Sequence, residues 1–220
     1  MFDQLFGAIL FFFNMLGSVR GESTPSASIA TSSAVATDIP TLKKNFETVQ
    51  TQALTSWEVK RASFAATLTG IKNEKKQTTL ETLQNRLQEI NKTQTILLMG
   101  KLKRLHWAIL RIQTLTASYG TDSGKDVSKI MTMITTAEKA IAEAMAAVTL
   151  QAEKTYVMTI TTESTAKKAF VEQRKLLADD LKKVRDLVKT ARKKVGDALK
   201  ALNDATGTTA TIVVPEEDAL

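Results

Sequence analysis

The chain contains no cysteine, a single histidine and only three prolines in 220 residues. Without cysteine there can be no disulfide, thiolate zinc site, iron–sulfur cluster, cysteine nucleophile or lipoprotein anchor. One histidine, His106, rules out a multi-histidine metal site and would leave any Ser-His-Asp triad dependent on that residue. Aromatic side chains make up 5% of the chain, which points away from a wide aromatic core and toward narrow cores of Leu, Ile, Val and Ala. The prolines stand at Pro25, Pro40 and Pro215, so residues 41–214 carry none. A proline inside a helix costs about 3 kcal/mol. A long proline-free span with apolar residues at helical spacing therefore predicts an all-α fold.

Ahead of that span, Leu5 to Val19 is a mostly apolar run shorter than the roughly 20 residues a spanning helix needs. It suits the core of a signal peptide, with Val19-Arg20-Gly21 offering small residues for cleavage before Glu22. The segment before the run has Asp3 and no Lys or Arg, so an uncleaved short membrane anchor is the other reading of residues 1–21. If Arg20 followed the positive-inside tendency, the body would instead lie in the cytoplasm. Residues 22–38 are built from Ser, Thr and Ala with Pro25, too few large apolar side chains to offset ordering, and read as a disordered linker. Residues 39–203 form the helical domain, and residues 204–220 a disordered acidic tail.

Four long helices are expected in an elongated antiparallel bundle of coiled-coil hairpins. Pro40 in a first turn, with Asp38 as cap, opens the first. Leu42, Phe46, Val49, Ala53, Trp57, Phe64, Leu68 and Ile71 then share one face. Gly70 is placed to end it in the left-handed conformation, and Asn73 to cap the second, making a tight turn. The second helix runs from Glu74 to about Thr116 on Leu80, Leu83, Leu87, Ile90, Gln94, Leu98, Leu102, Leu105, Ile109 and Ile112, with a stutter at Gln94 and Leu98. Ser118 to Gly124 reads as turn chemistry. The third helix carries Val127, Ile130, Ile134, Ala137, Ile141, Met145 and Val148. A threonine-rich, β-branched stretch after Lys154 breaks the pattern. The fourth helix repeats strictly at Leu177, Leu181, Val184, Val188, Ala191, Val195, Ala198 and Leu202.

Charge carries the functional argument. The formal net charge is +7, but residues 39–202 alone hold 29 Lys/Arg against 16 Asp/Glu. No acid falls between Asn91 and Gly120, and Lys182 to Lys200 holds eight cations against Asp186 and Asp197. In an up-down bundle these stretches and the start of the first helix converge on one end. The candidate contacts to an anionic partner are Lys43, Lys44, Lys101, Lys103, Arg104, Arg111, Lys189, Arg192, Lys193 and Lys194. Two explanations compete. Cations near helix C-termini complement the macrodipole at about 0.3–1 kcal/mol each. Alternatively, a basic end beside a tether faces anionic lipid or wall polymer at about 1 kcal/mol per cation. Nucleic acid is a third partner that the pI near 9.5 permits, though no reader motif accompanies it.

Other residues carry less. His106 and Trp107 are placed to flank the core, Asn91-Lys92-Thr93 matches a glycosylation sequon in mid-helix, and Asp179-Asp180 beside Lys182-Lys183 reads as a solvated ion network. Met131, Met133 and Met145 read as core filler.

The stretch Lys60-Arg61-Ala-Ser-Phe64, followed by Leu68 and Ile71-Lys-Asn-Glu-Lys-Lys76, and the break from Lys154-Thr-Tyr156 to Ile160-Thr-Thr-Glu163 carry a resemblance. Over residues 57–200 the chain resembles a group of uncharacterised, predicted-exported helical proteins of ultrasmall candidate-phylum bacteria. The resemblance implies export and a helical hairpin fold, and it brings no known activity with it.

No catalytic, cofactor or metal motif is present. The expected function is therefore that of a non-enzymatic, exported or envelope-tethered structural or interaction protein without cofactor, binding itself or a protein partner through helical faces. The alternatives are a module for anionic ligands (membrane lipid, wall polymer or nucleic acid) and a basic coiled-coil holdase chaperone.

Overall fold

The computed structural model describes residues 33–160 and 162–208, with side-chain surroundings from residue 41 onward. The signal or anchor, most of the linker and most of the acidic tail lie outside the described residues. Within them the chain is all-α: α1 (Ser33–Leu68), α2 (Glu74–Ser123), α3 (Ser128–Glu153) and α4 (Ala166–Thr206), with a 3-10 turn at Glu163–Thr165. Helices α2, α3 and α4 pack against one another in a triangle, and α1 lies on α3 with a smaller contact to α2.

The apolar rows are buried much as their spacing demands. All eight heptad positions of α4 are core residues, as are Phe46, Val49, Ala53, Trp57, Phe64 and Leu68 of α1. Met145 is buried, and Met131 and Met133 pack at the edge of the same core.

Four local expectations are corrected. Helix α1 begins at Ser33, so residues 33–38 are helical rather than linker, and Pro40 lies within the helix instead of opening it. Ala34 and Ala36 favour this, since extending an existing helix costs far less than nucleating one. Gly70 is not left-handed; the described glycines with positive φ are Gly124 and Gly207. The turn is held instead by the Ile71 N–H donating to Leu68 C=O, by Gln77 Nε2 donating to Ile71 C=O, and by the Asn73 side chain accepting from the Lys76 N–H. Helix α2 continues through Ser118 to Ser123 and ends at Gly124, φ 63°. Thr121 and Ser123 bond back to carbonyls one turn earlier, and Gly120 supplies close approach: a Cβ there would sit 3.1 Å from Val127 Cγ2. Finally, Asp180 is buried, although it keeps an ion pair with the exposed Lys183 at 3.6 Å.

The Asp180 correction belongs to a larger one. Helix α3 is short, and after Lys154 the chain climbs the rest of the bundle as coil, with Tyr156 and Met158 buried. Coil offers backbone groups that no helix satisfies, and they must be paired when buried. Helix α2 does this with side chains. Gln84 donates to Tyr156 C=O at 2.6 Å and accepts from Met158 N–H at 2.7 Å. Asn91 donates to the carbonyls of Gln151 and Lys154 at 3.1 and 3.0 Å and accepts from Gln151 Nε2 at 2.9 Å. Gln151 also donates to the Tyr156 hydroxyl, which donates to Asp180, whose carboxylate takes Lys154 at 2.8 Å. The buried row of α2 is therefore polar here, and Ile90, expected inside, is exposed. Asn91 is fully buried with its amide committed, which rules out the sequon as a glycosylation site in the folded chain.

Candidate anionic-partner interface

Helices α2 and α4 run parallel. Arg185 Nη2 donates to Gln94 Oε1 at 2.9 Å, and further along Tyr119 Oη donates to Ala205 C=O at 2.6 Å. The first of these bonds sets the phase of both helix surfaces at their shared seam.

Helical neighbours three and four residues apart share a face. From Gln94 the same row of α2 passes through Leu97, Lys101, Arg104, Ala108 and Arg111. From Arg185 the row of α4 runs back to Lys182 and forward through Lys189, Arg192, Gly196 and Lys200. Every cation in both rows is exposed. Arg185 to Lys200 spans about 22 Å at 1.5 Å per residue. The acids of α4 flank its row, with Asp186 four residues from Lys182 and three from Lys189, and Asp197 three from Lys200, whereas α2 has none between Glu89 and Asp122. Asp186 pairs with Lys189 at 3.2 Å, while Lys101, Arg104, Arg111 and Arg192 have no acidic partner within 4 Å among the described residues.

Of the ten cations expected from sequence, five are thus brought together along one seam: Lys101, Arg104, Arg111, Lys189 and Arg192. The others are not. Lys43 and Lys44 are exposed on α1, which makes no contact with α4. Lys103 and Lys194 are half-buried and off the two rows, and Lys193 lies on the outer side of α4. Lys182, Arg185 and Lys200 join the seam; their spacing relative to Lys189 and Arg192 was the available signal. The basic feature is a strip along the C-terminal halves of these two parallel helices.

The macrodipole does not account for it. Neither α2 nor α4 has a basic residue in its last turn, and the dipole's effect fades beyond that turn. Histidine adds no charge either, because burial holds His106 below its ordinary pKa and leaves it neutral near pH 7. Among the described residues no three His, Cys, Asp or Glu side chains come together as a metal site, and no helix is long and apolar enough to cross a membrane.

Comparison of this chain with protein-family models, with curated proteins and with solved structures finds no match.

Proposed function

We propose that this chain is a non-catalytic interaction protein that docks on a phosphate-bearing anionic partner along the α2–α4 seam. The observation that carries the reading is the pair of in-phase cation rows, free of acids along α2 and with cations outnumbering acids along α4, outside the last turns where helix dipoles would use them. Such a strip gains about 1 kcal/mol per cation at an anionic lipid surface. Along a linear polyanion it gains by counterion release, with salt-dependent affinity. Residues 1–21 are read as an export signal or anchor, which would set the strip at the cell envelope.

Binding is tested with three probes at low and raised salt: phosphatidylglycerol vesicles, polyphosphate and double-stranded DNA. Salt-sensitive binding to at least one is expected, and the tightest identifies the partner class. No binding to any of them at low salt overturns the proposal. N-terminal sequencing of the mature protein tests export separately, with a start near Glu22 expected for cleavage.

A further inference from the structure

The basic stretch of α2 also carries apolar side chains that the bundle does not cover. Among the described residues ten large apolar side chains are exposed, and four of them, Ile90, Ile96, Leu97 and Leu110, fall between residues 90 and 110 of α2. That is the part of the helix with no acid, between Glu89 and Asp122. Single exposed apolar residues are ordinary on any protein surface. These are grouped. Neighbours three and four residues apart place Ile96, Leu97, Lys103 and Arg104 around Gly100, with Trp107 a turn beyond the two cations. Ile96 and Leu97 are 44% and 53% exposed, and Trp107 is half-buried. Leu97 stands in the cation row itself, and Ile90, two turns earlier, continues that row.

The contacts of α2 show where this face points. Asn91 bonds to Gln151 of α3, and Gly100 follows Asn91 by nine residues, about two and a half turns, so the face lies opposite α3. Gln88 and Thr95 line the small cavity shared with α1, and Gln94 meets Arg185 of α4. The face around Gly100 falls between those two contacts on the outer side of the bundle. The seam cations run along its α4 edge.

The two kinds of anionic partner make different use of such a face. A linear polyphosphate or nucleic acid offers charge along the strip and leaves Ile96 and Leu97 in water. A bilayer surface offers both halves of the chemistry: phosphate headgroups for Lys and Arg, and the boundary of the acyl chains for exposed aliphatic side chains. Arg104 and Lys103 can lay their stems over that boundary with their charges among the headgroups, and the indole of Trp107 suits the same depth.

We infer that the α2 face around Gly100 seats Ile96 and Leu97 in the surface of an anionic bilayer, with Trp107 at its rim and the strip cations on the headgroups. The inference rests on the proposed anionic-partner function and narrows the partner to lipid.

The absence of cysteine allows one labelled position at a time. In the full chain, Leu97→Cys carries a polarity-sensitive fluorophore, and Val59→Cys, on α1 beside Glu58 and 69% exposed in the parent, carries the same label as a control. A retained leader would bring the chain to any vesicle, so the readout is taken at the face itself. With phosphatidylglycerol vesicles at low salt, emission from position 97 should shift to the blue while position 59 stays unchanged, and raised salt should reverse the shift. Phosphatidylcholine vesicles and soluble polyphosphate should shift neither. No shift at position 97 with phosphatidylglycerol, or an equal shift at position 59, overturns the inference. Binding of polyphosphate or DNA in that case leaves the anionic-partner function standing without it, whereas failure to bind any probe removes both.

Discussion

Arg185 on α4 donates to Gln94 on α2 at 2.9 Å, and that bond aligns the cation row of one helix beside that of the other. Two parallel helices, each with a basic row of its own, become one strip because the seam between them carries this register.

The strip predicts a localised effect of charge reversal. Arg104→Glu with Arg192→Glu should weaken binding to the anionic probe by at least about 2 kcal/mol, roughly thirtyfold in Kd at low salt. Lys43→Glu with Lys44→Glu, the same charge change on α1, should have a much smaller effect. Equal losses in a titration of both variants would show that net charge, not the seam, does the binding.

Gln84 secures the coil from both sides of its amide. Gln84→Leu leaves the Tyr156 carbonyl and Met158 N–H buried without partners, and should cost about 2–4 kcal/mol in urea unfolding. Gln94→Leu, on the half-exposed seam, should stay within about 0.5 kcal/mol. A Gln84 variant as mild as the Gln94 one would mean the coil pairs elsewhere.

Glu138 and Asp180 should tilt stability in opposite directions with pH. Burial without a partner raises the Glu138 pKa above its ordinary 4.5. The native state then holds the proton more tightly than the unfolded state, so the stability this group contributes at low pH is lost as pH rises through its folded value. Glu138→Gln should remove that slope and raise the urea midpoint at pH 8. A parent chain at least as stable there would refute it.

Lys154 beside Asp180 holds that carboxyl below the ordinary 3.8, against the pull of burial. Here the unfolded state binds the proton more readily. The stability is present above the unfolded value and is lost as pH falls through the lowered folded one. Asp180→Asn should lose about 1 kcal/mol at pH 7 and flatten the acid limb of the unfolding curve below pH 4. An acid limb unchanged from the parent would remove Asp180 from the account.

Two glycines separate the conformations assigned to the helix ends. Gly124, at φ 63°, should lose about 1 kcal/mol on replacement by Ala. Gly70 is not left-handed and has open space where a Cβ would go, so Gly70→Ala should stabilise by roughly 0.4–1 kcal/mol. Thermal melts of the two variants shifting the same way would contradict that assignment.

The elements were legible because their signals are local. Strict heptads fix the buried face of α4, Asn73 caps α2 through its own next turn, and the threonine-rich stretch after Lys154 ends α3. The basic residues were visible as a composition bias. What the sequence could not reveal depends on partners far along the chain. Gln84 and Asn91 look like surface residues of an amphipathic helix until the coil some 60 to 75 residues later brings backbone groups needing hydrogen bonds. Ser118 to Ser123 spells a turn until Tyr119 meets Ala205 and Gly120 meets Val127. Likewise, α1 brings Gln50 beside Gln88 of α2 at a small cavity, where each keeps an unpaired amide atom that no periodicity records. The chain alone determined which segments are helical and which faces are apolar, because hydrogen bonds and side-chain spacing along a helix are local. The tertiary structure decided which polar groups are buried and which cations become neighbours, because each depends on what packs against it.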